Sequence, residues 1–344
     1  MKNKLWRITL DTNPEDCNLH CIMCEENSEY SDFKQKLFEK TGTKRRLMPT
    51  EWIKPILTEA KALGINEIIP TTMGDPLVSE HFEMIAKEAK KLNLKLNVTH
   101  NGTFPRKSVK EWANIIIPIT SDIKISWNGA TKHTAEKIMK GINFQKNLEN
   151  LKQFVQYRNE YFEETGYYCK VTLQLTFLQQ NMHELNEIIK LASEIGIDRI
   201  KGHHLWAHFK EIENLSFEYS IESKQKWNEI VKAAFETVEK FRKPGGEKII
   251  LENFYSFENK TFKVSENLEG LKGECPFLEK ELWISATGKI SPCCAPDEQR
   301  DSLGDFGNYP ETKLSEVIKS DIYQNLVKNY KNFELCKTCK MRRL

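Results

Sequence analysis

The sequence Cys17-Asn18-Leu19-His20-Cys21-Ile22-Met23-Cys24 places three cysteines on one short loop, shortly after the apolar segment 5–10. Iron–sulfur cubanes are held by cysteine thiolates, usually four, so three thiolates can bind three of the irons. No fourth cysteine lies nearby, and one iron would then stay open to an external ligand, as in a catalytic metal centre. The alternative is a zinc site with His20 as the fourth ligand. The position of His20 inside the loop, with no second C-x2-C pair nearby, disfavours zinc.

The other cysteines form a second group and one isolated residue. The second group contains Cys275, Cys293 or Cys294, Cys336 and Cys339, while Cys169 stands alone in an alternating segment and is expected to be an inert buried thiol. The total of nine is odd, and the start of the chain lacks a signal-peptide core, so a disulfide framework is not predicted. In a reducing compartment, clustered thiols are metal ligands or redox groups. We therefore expect a cytoplasmic protein with two separate metal sites.

The charge balance and hydropathy of the chain argue against some classes of binding partner. The 51 Lys and Arg residues against 49 Asp and Glu give a formal net charge of +2, and no long block of one sign stands out. This balance argues against nucleic acid or an anionic membrane as the main partner. No apolar run of about 18 residues appears, so no membrane-spanning helix is predicted.

Between residues 48 and 205, segments with strand-like and helix-like periodicity alternate. The predicted strands are 4–11, 65–69, 94–98, 115–119 together with 123–126, 171–175 and 198–201. Six β/α units of this kind predict an α/β fold in which a parallel sheet curves into a partial barrel. Substrate and cofactor are then expected at the carboxyl ends of the strands.

One long helical pattern and one polar insert mark the domain organisation. The pattern at 216–243 ends at Pro244-Gly245-Gly246, which predicts a linking helix over 216–246. It separates a barrel domain, 1–215, from a smaller C-terminal domain, 247–344, with short strands and five of the cysteines. The insert 25–47 is longer than most loops of a compact domain. A flap over the site and a passive surface excursion are equally good interpretations of it.

Together, the three-cysteine loop and the motifs after the later strands resemble those of the radical S-adenosylmethionine (SAM) enzymes that carry a C-terminal SPASM or twitch domain. The resemblance covers nearly the whole chain except the polar insert. It implies a partial (β/α)6, TIM-like barrel followed by a small α+β domain. It also implies that Cys17, Cys21 and Cys24 hold a SAM-binding [4Fe-4S] cluster, with Ile22 and Met23 among the SAM contacts. Many members have an aromatic residue where this chain has Met23.

Further segments resemble the SAM-binding motifs of this family. Met73-Gly74-Asp75-Pro76 is similar to a Gly-Gly-Glu-Pro stretch that receives the SAM amino group, although Met73 departs from that pattern. Thr99-His100-Asn101-Gly102 resembles the turn after the third strand, and Ser126-Trp127-Asn128-Gly129 the serine-led turn after the fourth. The SAM contacts implied by these segments and by the end of the fifth strand are Met73, Gly74, Asp75, Asn101, Ser126, Gln174 and Thr176.

In the C-terminal domain, Cys275 is followed by twelve residues, Gly288, four residues and Cys293, a spacing that resembles the SPASM and twitch pattern. A hairpin turning at Gly288 would bring the two thiols together, and a C-x2-C loop supplies the other pair. The resemblance implies one auxiliary [4Fe-4S] cluster on Cys275, Cys293, Cys336 and Cys339, with Cys294 as an alternative to Cys293. A structural zinc is the other interpretation, because a four-thiolate site suits either metal.

The predicted substrate contacts follow the sixth strand, at the barrel mouth. The candidates for catalysis there and at the start of the second domain are His203, His204, His208 and Glu252. A His or Glu base is needed if a hydroxyl is oxidised. The alternative is that Trp206 is a core residue and that one or two of the histidines only cap the strand end.

By resemblance, the expected activity is reductive cleavage of SAM to a 5′-deoxyadenosyl radical that abstracts hydrogen from an unactivated C–H bond. A net oxidation of a small polar substrate, with a flavodoxin- or ferredoxin-type electron donor, is the first hypothesis. A peptide- or protein-modifying maturase (oxidation, epimerisation or crosslinking) is the second. It is disfavoured because Cys17 lies too early for a preceding leader-binding domain. A zinc-stabilised, non-enzymatic binding module is the third.

Overall fold

Most strands of the protein join one sheet. The computed structural model describes residues 5–257, 273–339 and 341–342. The strands in chain order are β1 (Arg7–Leu10), β2 (His20–Cys21), β3 (Glu67–Ile69), β4 (Lys95–His100), β5 (Thr120–Ser126), β6 (Met139–Lys140), β7 (Lys170–Phe177), β8 (Arg199–His204), β9 (Ile250–Glu252), β10 (Glu281–Ile284) and β11 (Ile290–Ser291). In the described residues, nine of them form a sheet in the order β11-β10-β1-β3-β4-β5-β7-β8-β9, and β2 pairs separately with β6.

Helices connect most of these strands. They are α1 (Phe33–Thr41), α2 (Thr50–Ala62), α3 (Phe82–Lys91), α4 (Val109–Ile116), α5 (Lys132–Ile138), α6 (Phe144–Thr165), α7 (Leu185–Ile195), α8 (Lys210–Glu213), α9 (Ile221–Lys240), α10 (Asp297–Arg300), α11 (Leu314–Val317), α12 (Asp321–Asn329) and α13 (Glu334–Lys337). One side of each of α3, α6, α7 and α9 is buried. Within the described ranges, none of the helices combines the length and apolarity needed to cross a bilayer.

The six predicted β/α units are confirmed. β1, β3, β4, β5, β7 and β8 are neighbours in this order, and every pair is parallel. The predicted strand at 115–119 is wrong, because these residues end α4 and form the 3-10 turn Ile117–Ile119. A capping box between Ser108 and Glu111 starts α4. The apolar residues that follow it therefore continue as a helix and not as a strand.

The C-terminal segment adds strands to both edges of the barrel sheet. β10 pairs in parallel with β1, opposite Arg7 to Leu10, and β9 pairs in parallel with β8. β11 then turns back antiparallel to β10. The carboxyl end of β1, where the cysteine loop starts, therefore has strands of the C-terminal segment beside it.

Alternation along the strands gives the sheet one apolar and one polar face. Ile8, Ile68, Ile123, Val171 and Ile200 are fully buried and belong to the core that includes the helices. The residues between them form ion pairs and hydrogen bonds across the opposite face. This polar face is unusual for strands of a parallel sheet, which are commonly apolar on both sides.

The ion pairs of the polar face tie the added strands to the barrel strands. Arg7 of β1 donates to Glu281 of β10 at 2.8 Å and to Glu67 of β3 at 3.4 Å. Arg199 of β8 donates to Glu252 of β9 at 2.6 Å. Because these groups are largely enclosed, each charge has its partner within hydrogen-bond distance, as buried charges require.

Replacing Arg158 with alanine is expected to destabilise the fold by about 3–5 kcal/mol, because the buried Asp198 carboxylate then loses one of its two cationic partners, keeping only Lys243, and the Gly196 carbonyl loses its donor. Arg158 is buried on α6 and contacts Asp198 at 2.7 Å and the Gly196 carbonyl at 3.0 Å. Chemical denaturation measures the change. Lys248→Ala is the matched control, since its pair with Glu239 is exposed and contributes about 0–1 kcal/mol. Equal losses in the two variants would contradict this assignment.

Candidate functional site

The cysteine loop lies at the carboxyl end of β1 and is held by a second, small sheet. Cys21 of β2 is in register with Met139 of β6, and the Ile22 N–H donates to the Ile138 carbonyl at 3.0 Å. Successive residues of a strand point to opposite sides. His20 is exposed and its Nδ1 contacts the carbonyl oxygen of Asn27 at 3.1 Å, whereas Cys21 turns inward. This geometry gives no support to His20 as a metal ligand beside Cys21.

The three thiols of this loop lie within electrostatic range of one another. Burial raises the pKa of Cys17 to about 11, with the charges of Asp75 and Cys24 adding to the effect. Burial, together with Cys17 and Cys24, also raises the pKa of Cys21. The N–H of Leu19 donates to Cys17 Sγ at 3.5 Å. These thiols are therefore protonated without a cation, and a bound metal would convert them to thiolates.

The arrangement of the three thiols suits a cluster in which each cysteine binds a different iron atom. In the described part of the chain, no three His, Cys, Asp or Glu side chains converge on a single metal ion. A cubane takes each thiolate on a different iron, so neighbouring but separate thiols suit it. The Asn27 N–H at 3.4 Å from Cys24 Sγ and the Asn101 amide at 3.7 Å from Cys17 Sγ provide hydrogen bonds to the sulfur atoms.

The segment after β3 packs directly on the cysteine loop. A Cβ at Gly74 would lie 2.0 Å from the Asn13 carbonyl oxygen, so only glycine fits there. The carboxylate of Asp75 accepts the N–H of Leu77 at 2.9 Å and that of Asn101 at 2.8 Å. Burial raises its pKa to about 6 despite these bonds. The structure thus brings Gly74, Asp75 and Asn101 together beside Cys17, with Asp75 joining the loops after β3 and β4, while Met73 is 37% exposed.

The ends of β5, β7 and β8 carry a group of polar side chains on the polar face of the sheet. Ser126 is in register with Gln174, and Thr176 with His203. The His203 ring contacts the Gln174 amide at 3.2 Å through Nδ1 and the Thr176 hydroxyl at 3.3 Å through Nε2. The ring is open to solvent. Desolvation by the surrounding protein atoms and the charge of Lys201 nevertheless lower the pKa of His203.

His204 lies on the opposite side of β8 from His203. Its ring centroid is 4.8 Å from Trp227, 4.9 Å from Phe257 and 5.3 Å from Phe177. It therefore packs among the aromatic side chains under α9. The structure does not bring it together with Gln174 and Thr176.

Glu252 and His208 contact other residues than this polar group. Glu252 contacts Lys201 and Arg199, each at 2.6 Å. Although burial opposes it, the hydrogen bond and charge of Lys201 hold the pKa of Glu252 below its ordinary value. His208 stacks on Trp206 with ring centroids 6.2 Å apart. Trp206 is 58% exposed, which excludes the interpretation that it is a core residue.

The insert 25–47 reaches the barrel mouth. Its Tyr30 ring is 6.2 Å from Phe209 in the loop after β8, and Glu25 lies 3.9 Å from His208. Its end is held by an ion pair between Arg46 and Glu15. Sequence analysis missed these contacts, because only the length of the insert was informative and length does not specify where a loop packs.

The second cysteine group also comes together. The charges of Cys293 and Cys339 act on Cys275, and those of Cys293, Cys275 and Cys339 act on Cys336. The thiol of Cys294 donates to Cys293, and this hydrogen bond lowers the pKa of Cys293 to about 7. All four sulfur atoms implied for the auxiliary cluster are therefore neighbours, with Cys294 beside them.

The turn predicted at Gly288 joins β10 to β11 and leads to Cys293. Its φ is +91°, and a Cβ there would lie 2.3 Å from the Tyr309 carbonyl oxygen. Both observations require glycine. The N–H of Leu278 donates to Cys275 Sγ at 3.4 Å, and that of Ala295 to Cys293 Sγ at 3.5 Å. The donor chemistry of this group fits four thiolates.

Two family models match the chain, one over each of the regions that contain the cysteine groups. Residues 14–192 match the family model of the radical SAM superfamily, and residues 275–340 match an iron–sulfur cluster-binding domain, SPASM. The chain is 24% identical over 347 residues to the tungsten-containing aldehyde ferredoxin oxidoreductase cofactor-modifying protein of Pyrococcus furiosus, a match covering 95% of this chain and 85% of that protein.

Two solved structures share the fold. Streptococcus suis SuiB bound to S-adenosylmethionine gives a TM-score of 0.65 at 16% identity, with 98% of this chain and 72% of that chain covered. Native anSMEcpe with bound AdoMet and the Cp18Cys peptide gives 0.64 at 16% identity, with 98% and 86% covered. The α/β fold is therefore shared with these proteins.

Proposed function

The chain belongs to the radical SAM superfamily and has a C-terminal iron–sulfur cluster-binding domain, and from this we infer an enzyme that oxidises a C–H bond of a small polar substrate. Proteins of this superfamily bind SAM and a [4Fe-4S] cluster, and the SPASM domain binds auxiliary iron–sulfur clusters. When bound, these groups supply a 5′-deoxyadenosyl radical by one-electron cleavage of SAM, and an electron acceptor. The protein's own residues hold these groups, place the substrate and move its proton.

The buried thiols are the proposed cluster ligands. Cys17, Cys21 and Cys24 would hold the SAM-binding cluster, and Cys275, Cys293, Cys336 and Cys339 the auxiliary one. Hydrogen bonds from the loop to the sulfur atoms orient the first set. Asp75 is proposed to position the SAM-binding loops, because both of its oxygens already accept backbone N–H groups. Gly74 and Asn101 meet at this position beside Cys17, and Ile22 and Met23 pack on the same loop.

The observation that carries the substrate assignment is the position of His203 beside Gln174 and Thr176, the two residues expected to contact SAM, because a substrate has to lie next to SAM for hydrogen transfer. These side chains present hydrogen-bonding atoms at the ends of adjacent strands, on the polar face of the sheet. Polar side chains in this arrangement suit a substrate with hydroxyl or amino groups rather than an apolar substrate. The lowered pKa of His203 keeps the imidazole neutral near pH 7, so it can accept a proton from a substrate hydroxyl.

Replacing His203 with phenylalanine is expected to reduce substrate oxidation by about 100-fold or more while SAM cleavage without product continues, because only the proton acceptor is lost. The assay follows deuterium transfer from a panel of deuterated polyols and aminocyclitols into 5′-deoxyadenosine, and the loss of two hydrogens from the compound by mass spectrometry. Because the pKa of His203 lies below its ordinary value, about 6.5, the wild-type rate should persist as the pH falls through 6.5.

His204→Phe is the matched control, since the His204 ring packs among aromatic side chains that accommodate phenylalanine. It should retain turnover. Equal turnover in the His203 and His204 variants would remove His203 from the proposal.

A peptide substrate is the second candidate function. Solved structures of this fold include SuiB bound to its precursor peptide SuiA, at a TM-score of 0.64 and 16% identity. The barrel mouth of this chain also exposes aromatic side chains, Trp206 at 58% and Tyr30 at 40%, which suit contact with a peptide. The same deuterium assay decides between the two: a deuterated peptide library would label 5′-deoxyadenosine, and the polyol panel would not.

A further inference from the structure

We propose that the exposed basic side of α5 is the docking surface for an acidic one-electron carrier protein. This surface, called the α5 face below, comprises Lys132, His133 and Lys137, with Lys146 at the start of α6. The proposal rests on the proposed function, because reductive cleavage of SAM consumes one electron that must enter at the cysteine loop.

The α5 face is the solvent-exposed side of the segment, α5 and β6, that pairs with the cysteine loop. α5 continues directly into β6, whose Met139 is in register with Cys21 of β2. Paired strands lie about 4.8 Å apart. On the inner side, Ile138 and Met139 are buried in a small apolar cluster against which Cys17 and Cys21 pack. A carrier on the α5 face is therefore separated from the thiols by this one layer of side chains.

The positive charges of this face are uncompensated. Lys132, Lys137 and Lys146 are exposed, and among the described residues none of them forms an ion pair. The two acids nearest α5 are held by hydrogen bonds: Glu136 accepts the Phe144 N–H at 3.1 Å, and Glu184 accepts from the hydroxyls and backbone around the start of α5. Glu149, one turn after Lys146 on α6, is exposed. The chain as a whole carries a net charge of only +2, so the positive field of this face is a local feature.

A groove beside the α5 face can accept side chains of a partner protein. It has a volume of about 320 Å³ and is lined by His133, Lys137, Gln179 and His183, among others. The lysine, histidine and glutamine side chains suit carboxylates projecting from an acidic protein, and Glu184, which also lines the groove, already accepts the Thr131 and Thr134 hydroxyls. Electron-transfer complexes of this kind have small interfaces that are steered by charge, so a compact basic face next to the redox centre is sufficient.

The test reverses two charges on this face and compares two reductants. Lys132→Glu/Lys137→Glu is the variant, and Lys226→Glu/Lys232→Glu, on exposed positions of α9, is the control with the same change in net charge. Each protein is reconstituted anaerobically, and 5′-deoxyadenosine formation is measured with reduced plant-type ferredoxin, an acidic carrier, and separately with dithionite. Ferredoxin binding is measured by titration on the same samples.

With ferredoxin at low salt, the α5 variant should be at least about 10-fold slower than the wild type, the lower end of electrostatic steering. The difference should shrink as salt screens the charges. With dithionite, the wild type, variant and control should have equal rates. The proposal is overturned if the α5 variant keeps the wild-type ferredoxin rate, if the α9 control loses as much, or if ferredoxin fails where dithionite works. No 5′-deoxyadenosine from the wild type with dithionite would instead refute the proposed function, and the titration would still decide the docking surface.

Discussion

Replacing Cys21 with alanine is expected to abolish 5′-deoxyadenosine formation. The Cys21 thiol is buried between Cys17 and Cys24, and β2 fixes its position through the pairing with β6. Without it, only two thiols of the loop remain, too few for a cluster that needs three protein ligands and one open iron. We also expect the iron content of the anaerobically reconstituted protein to fall from about eight per chain to about four, because the auxiliary site is intact.

Cys169→Ala is the matched control for this change. Cys169 is fully buried, and it stands before β7 and contacts the Lys170 carbonyl oxygen rather than other thiols. This variant should retain full iron content and SAM cleavage. Product formation from SAM in the Cys21 variant at the rate of the Cys169 variant would show that the radical is not generated at this loop.

The second large effect concerns the C-terminal cysteines. Cys336→Ala/Cys339→Ala should lower the iron content from about eight to about four while leaving SAM cleavage without product. The two thiols are half of the group that also contains Cys275 and Cys293, and their loss leaves only Cys275 and the adjacent Cys293 and Cys294, so one side of the proposed cluster has no ligands. Oxidised product should disappear, because the electron acceptor is lost.

A single variant sharpens this prediction. Cys294→Ala should keep both the iron content and the product, since Cys294 donates to Cys293 and is the proposed neighbour of a ligand rather than a ligand. An unchanged product yield in the Cys336/Cys339 double variant would exclude an obligatory auxiliary cluster. Zinc in place of iron in the wild type would support the structural-metal interpretation of this site.

The parts of the fold that follow from short-range pattern could be predicted from the sequence. The alternation of strand and helix periodicity predicts the six parallel strands, and the spacing of Cys17, Cys21 and Cys24 predicts a metal site shortly after the first of them. The segment 115–119 was misassigned because its isoleucines suit a strand as well as a helix. The capping box that starts α4 at Ser108 settles the choice in favour of a helix.

The opposite orientations of His203 and His204 follow from the alternation of side chains along the sixth strand, but the sequence analysis does not predict them. The strand predicted at 198–201 is three residues too short, since β8 extends to His204. Extending its alternation puts His203 on the side of Lys201 and His204 on the side of Ile200. The pairing of β10 with β1 was not readable, because it joins residues more than 270 positions apart and depends on the whole barrel being formed.

The most direct test of the central claim asks what occupies the iron that the three thiols leave open. The sample is the Cys336→Ala/Cys339→Ala variant, which isolates the first cluster, reduced and mixed with SAM labelled isotopically at its amino nitrogen and carboxylate oxygens. Electron–nuclear double resonance should detect hyperfine coupling of both labels to the cluster. A spectrum without either coupling, with a protein nitrogen coupled in their place, would contradict the assignment of this loop as the SAM-binding site.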